Sequence, residues 1–114
     1  MSSRRIQQVN ELIRHELGKI LVREVTLPKG CLATITDVRT GSDLKNATVY
    51  VSTMPKGRQG STVEMLNKRT GYFQSLLGNT LKLRVTPKLY FKLDPAEEQR
   101  ARIDELIDKI HHDG

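Results

Sequence analysis

A chain of 114 residues has room for one compact domain and not two. Its 37% hydrophobic and 28% charged content, with no Gly/Ser, Pro or Gln tract, excludes a disordered chain, and no uncharged run approaches the roughly 20 apolar residues of a membrane span. With 19 Lys+Arg against 13 Asp+Glu the net charge is +6 and the pI about 9.7, which points towards anionic partners.

Met1 to Ile6 run straight into an arginine pair, with no apolar segment for a signal peptide, so the expected setting is the cytoplasm. Ile6, Val9, Ile13, Leu17, Ile20 and Leu21 then recur at helical spacing and predict an amphipathic helix from Ser3 to Val22. Pro28 and Gly30 end it. The runs Leu32 to Arg39 and Ala47 to Ser52, rich in Thr, Ile and Val, are joined by Gly41-Ser42-Asp43 and read as an antiparallel hairpin. Pro55, Gly57 and Gly60 mark a basic loop that carries Lys56 and Arg58.

Ser61 and Glu64 have capping-box spacing, and Val63, Leu66, Thr70, Phe73 and Leu77 continue as a helical stripe that Gly78-Asn79 would close. Gly71 sits in the middle of that helix, where glycine costs ~1 kcal/mol relative to alanine. From Leu81 to Leu93 apolar and polar residues alternate, with Lys82, Arg84, Lys88, Tyr90 and Lys92 on the polar parity. That pattern predicts a long strand with one buried and one wet face, bent at Pro87. Asp94-Pro95-Ala96-Glu97 opens a last helix with the stripe Ile103, Leu106, Ile107 and Ile110. The expected fold class is α+β: one domain over residues 3–110, a three-stranded sheet covered by helices on one face, with 1–2 and 111–114 as flexible termini.

Charge is uneven along this order. Residues 1–92 hold 16 basic and 6 acidic side chains; residues 93–114 hold 3 and 7. A basic body therefore precedes an acidic helix, and a basic body draws polyanions because each neutralised phosphate releases counterions.

The order of elements, with glycine interrupting the helix before the third strand, resembles a KH-type RNA-binding domain of type II topology. The runs Ile35-Thr36-Asp37-Val38 and Asp43-Leu44-Lys45-Asn46-Ala47-Thr48-Val49-Tyr50-Val51-Ser52 resemble the hairpin of the ribosome-binding factor A family. The stretches from Gly71 to Gly78, from Leu81 to Phe91 and from Arg102 to Ile107 resemble its second helix, third strand and last helix. The resemblance implies a monomeric, non-catalytic factor without cofactor or metal. It would bind the small (30S) ribosomal subunit and its 16S rRNA and assist late maturation and rRNA processing, notably in the cold. The family places an Ala-x-Gly kink between two helical halves; the matching residues here are Arg69, Thr70 and Gly71, with arginine where the family has alanine.

The kink also has a physical reading. Lys68, Arg69, Thr70 and Gly71 would gather charge, a hydroxyl and open backbone N–H groups suited to phosphate. Lys56 and Arg58 precede the same helix, whose positive end adds to their pull. Lys82 and Arg84 complete the expected RNA-binding set, and the wet strand face with Tyr90, with Tyr50 nearby, resembles a stacking platform. The bland reading of each residue is a packing glycine or a solvated charge.

His15, His111 and His112 have no converging ligands, and Cys31, alone, has neither a metal-binding partner nor a catalytic base nearby. The rival from another class is a basic protein-interaction module that holds an acidic partner, which RNA removal from a pull-down would leave intact. An RNA hydrolase would need acid–base groups on the basic face, and none is seen there.

Overall fold

The computed structural model describes residues 3–27, 30–54, 59–82 and 85–113. In chain order they form α1 (Ser3–Glu24), β1 (Leu32–Thr40), β2 (Asn46–Met54), α2 (Gln59–Lys68), α3 (Thr70–Leu81), β3 (Lys88–Leu93) and α4 (Pro95–Asp113). The sheet order is β1-β2-β3. The first pair is antiparallel, with a bulge between Ile35 and Asp37, and β3 runs parallel to β2. A parallel neighbour needs a crossover, and α2 with α3 supplies it. No described helix is long and apolar enough to cross a membrane.

The core follows from the two periodicities. Ile13, Leu17 and Ile20 on α1 meet Val49 and Val51 on β2 and Leu89 and Phe91 on β3, closed over by Leu66, Phe73 and Leu77. Phe73 and Phe91 meet edge to face at 5.9 Å between ring centroids. The expected α+β arrangement holds, with α1, α2 and α3 packed on one side of the sheet.

Three sequence expectations are corrected. The third strand is short: Leu81 ends a helix, Val85 is 67% exposed, and β3 begins only at Lys88. Alternating apolar residues over 81–87 fit a strand, but of the described residues there Leu81 ends a helix and Val85 to Pro87 precede the strand. Gly78-Asn79 does not stop α3. The stop is Lys82, left-handed at φ 52, whose N–H donates to the Gly78 carbonyl at 3.1 Å. Ser61 lies inside α2, which begins at Gln59, so it is not the residue that caps that helix.

The last helix departs furthest. Its stripe of Ile103, Leu106, Ile107 and Ile110 is exposed, because α1, α2 and α3 already fill the apolar side of the sheet. Its start is nonetheless well anchored. Asp94 accepts the Thr36 hydroxyl at 2.7 Å and the Ala96 N–H at 2.9 Å, and its own N–H donates to the Val51 carbonyl. The Thr36 bond foremost, then the Ala96 amide, holds the Asp94 carboxyl below the usual aspartate range.

A depressed folded-state value contributes stability that is complete above the unfolded aspartate range of about 4 and is lost as pH falls from there through the lower folded-state value. Asp94→Asn keeps a capping oxygen without the titration. Thermal melts between pH 7 and pH 3 should therefore show a shallower acid decline for Asp94→Asn than for the parent. Identical slopes would remove Asp94 from the acid response.

Two glycines in α3 make a second test. Nothing lies within 4 Å of a Cβ placed on Gly71, whereas one on Gly78 would meet Thr86 Oγ1 at 2.7 Å. Alanine relieves up to ~1 kcal/mol of helix cost at either site, but only Gly71→Ala is free to realise it. Gly71→Ala should melt about 2–4 °C above Gly78→Ala by calorimetry. Reversed order would mean that Gly71, not Gly78, is the packing glycine.

Candidate nucleic-acid interface

The helix break is real and local. Arg69 alone separates α2 from α3, with φ −106 and ψ 14, the sparsely populated bridge conformation. Its own N–H donates to the Leu66 carbonyl, and its carbonyl accepts the N–H groups of Tyr72 and Phe73. The break is held from outside the helices as well. Asn67 grips the outward edge of β3 with both ends of its amide: Nδ2 donates to the Phe91 carbonyl at 2.9 Å, and Oδ1 accepts the Phe91 N–H at 2.8 Å. One turn on, the Thr70 hydroxyl donates to the Leu89 carbonyl at 2.8 Å. These bonds finish an edge strand that would otherwise show unpaired backbone.

Around this corner lie Lys68, Arg69, Gly71 and Tyr72. Arg69 extends over two rings, 5.1 Å from the Tyr72 centroid and 5.3 Å from that of Phe73, so its guanidinium is presented on an aromatic shelf. Lys68 pairs with Glu64 at 3.3 Å. Both side chains are largely exposed, and such a pair contributes little against a competing phosphate. Gly71 leaves open space over the first turn of α3, where the Tyr72 and Phe73 N–H groups turn back to the Arg69 carbonyl. No side chain caps that end through Arg69.

Tyr72 ties the corner to α1. Its hydroxyl donates to Glu24 at 3.0 Å, and Arg23 bonds the other oxygen at 3.1 Å. Arg23 first, then Tyr72, holds the Glu24 carboxyl below its usual range, while the bond to Glu24 pushes the Tyr72 phenol up. Glu24 is thus an anion close to the cationic corner, engaged by two donors.

The expected set of eight residues is only partly brought together. Lys68, Arg69, Thr70 and Gly71 are contiguous at the break, but the Thr70 hydroxyl is committed to β3 and serves the fold. Lys82 caps the far end of α3, roughly 20 Å along the helix from Arg69, and belongs to no strand face. Lys56, Arg58 and Arg84 lie outside the described residues. Sequence reasoning missed Tyr72, Glu24 and Asn67. Tyr72 could have been found as the aromatic just off the apolar stripe; Asn67 gives no sequence signal, since its partner lies 24 residues away. Among the described residues no three His, Cys, Asp or Glu side chains converge as metal ligands would.

Comparison with known proteins bears on the fold and the family. The crystal structure of ribosome-binding factor A from Thermus thermophilus superposes with a TM-score of 0.68 at 17% identity, covering 77% of this chain and 94% of that one. A Thermus thermophilus ribosome binding factor A homology model, fitted into a cryo-EM map of a 30S complex, gives 0.64 at 20% identity over 74% and 89% of the two chains. Likeness at these identities speaks for the fold. In sequence, the ribosome-binding factor A of Halothermothrix orenii is 36% identical over 111 residues, 96% of this chain and 91% of that protein. Residues 5–107 match the family model of ribosome-binding factor A, and the chain therefore belongs to the ribosome-binding factor A family.

Proposed function

We propose that this chain binds the small ribosomal subunit by setting its helix break against ribosomal RNA phosphates. The observation that carries the reading is the Arg69 guanidinium, shelved on Tyr72 and Phe73 beside the open backbone at Gly71. An exposed charge held over two rings beside open space at Gly71 suits an RNA backbone. The Thermus thermophilus relative was fitted into a map of its 30S complex, and a shared family makes the same partner the natural one here.

The protein works without catalysis, in the cytoplasm, as a maturation factor for the subunit and its 16S rRNA. Its binding free energy favours one conformation of the immature RNA over another, and it shifts that equilibrium only by its differential affinity for the two. A photocrosslinker at Gly71, added to purified small subunits, should capture 16S nucleotides. The same group on the exposed stripe of α4, at Leu106, is the comparison site. Crosslinks to ribosomal protein alone from Gly71 would instead favour the protein-interaction reading.

A further inference from the structure

Among the described residues, no helix covers the second face of the sheet. Across that face Arg39 stands beside Thr48 and Thr48 beside Tyr90; one pair further, Asp37 stands beside Tyr50 and Tyr50 beside Lys92. Tyr50 and Tyr90 are therefore diagonal neighbours on adjacent strands, about 7–8 Å apart. Tyr90 is exposed and Tyr50 half-buried. Each ring carries a cation: the Arg39 guanidinium lies 5.7 Å from the Tyr50 centroid and Lys88 Nζ 5.4 Å from that of Tyr90. Lys92 stands exposed beside Tyr50. Two carboxylates share this face, and both are engaged. Asp37 accepts the Val38 N–H at 2.9 Å and Arg39 Nε at 3.2 Å, and Asp94 holds Thr36 and caps α4.

Two of the three tyrosines of a chain without tryptophan thus lie on one open sheet face, flanked by three cations. The Arg39 side chain is 73% exposed, and its bond to Asp37 is of the surface kind that yields readily to a phosphate. Bases inside a duplex have their faces covered, whereas an unpaired base offers a free face to a ring. We propose that this face is a second RNA site, which takes two unpaired bases of a single strand on Tyr50 and Tyr90 and draws their phosphates to Arg39, Lys88 and Lys92. It is separate from the helix break, which would hold RNA backbone rather than bases. Stacking on a ring is tolerant of sequence, so the site would select single-strandedness and not a motif.

The test uses tyrosine emission in the full-length chain. Tyr72→Phe silences the third tyrosine, with loss of its bond to Glu24 at the helix break, and leaves Tyr50 and Tyr90 as emitters; the same background is used for every protein in the emission test. Octauridylate should quench that emission, and an RNA duplex of equal length should not. With labelled octauridylate, Tyr90→Leu should weaken binding about tenfold, while Tyr90→Phe, which keeps the ring, should bind as the parent does. Lys68→Gln/Arg69→Gln removes two cations and should weaken octauridylate binding, but less than Tyr90→Leu does. The proposal is overturned if Tyr90→Leu binds unchanged, if duplex quenches equally, or if polyglutamate displaces octauridylate as well as RNA does. It is also overturned if the Lys68 and Arg69 changes abolish octauridylate binding, which would put the strand at the break. Loss of octauridylate binding at Tyr90 alone, with subunit binding intact, would leave the reading of the helix break untouched.

Discussion

Replacing Asn67 with leucine should cost about 3 kcal/mol of unfolding free energy, the largest effect expected from any polar side chain at the corner. Its amide makes two bonds to the backbone of Phe91, at 2.8 and 2.9 Å. Two such bonds are worth about 2 kcal/mol net. Leucine adds a further penalty, because its side chain keeps water from the freed N–H and carbonyl that alanine would leave accessible. Asn67→Ala should therefore fall between the parent and Asn67→Leu. Urea unfolding followed by far-UV circular dichroism measures the series. If both variants unfold within about 0.5 kcal/mol of the parent, a threshold set by ordinary surface substitutions, the amide clasp carries no stability and β3 is held by its core face alone.

Lys68→Gln/Arg69→Gln should weaken binding to small subunits by tenfold or more, at nearly unchanged stability. Lys68 is exposed and tied only to exposed Glu64, so little folding free energy rests on it. Arg69 contributes its stacking on Tyr72 and Phe73, typically about 0.5–1 kcal/mol at an exposed site. Each lost phosphate contact should also lower the salt dependence of binding by about one, so the double variant should lower the log–log slope by about two. Co-sedimentation across a potassium series reads both quantities. An unaltered slope would mean that these two cations meet no phosphate, whatever the affinity did. Lys82→Gln serves as the contrast at the far end of α3, where the same loss of one charge should move affinity and slope less.

The order of elements was legible because α1, the hairpin and the stripe through Leu66, Phe73 and Leu77 each follow one period without ambiguity. The stretch from Gly78 to Pro87 was not. Gly78-Asn79 has the composition of a helix stop, yet Gly78 is needed where Thr86 approaches, and the helix runs on to Leu81. Leu81, Leu83 and Val85 keep strand parity in the sequence, but parity cannot say which residues find a neighbouring strand, and among the described residues of this stretch only 88–93 do. The same limit applied to α4. Its stripe was plain in the sequence, but whether a sheet face was still vacant for it depended on how α1, α2 and α3 had already packed. At the corner, the break and its cations were visible, whereas the Asn67 clasp and the shelf under Arg69 depend on partners brought in by the tertiary fold.

The parallel placement of β3 sets when the corner can exist during synthesis. Val49 meets Phe91 across a span of 42 residues, closed at a substantial loop entropy, whereas the β1–β2 hairpin joins neighbours in sequence. Thr70 and Asn67 have no acceptors until that late strand arrives. A nascent chain that has emerged only as far as Lys82 would carry every cation of the corner on a helix pair with nothing to brace it. If the break is the contact site, competence to engage a ribosome comes only with the last quarter of the polypeptide, once β3 has been made.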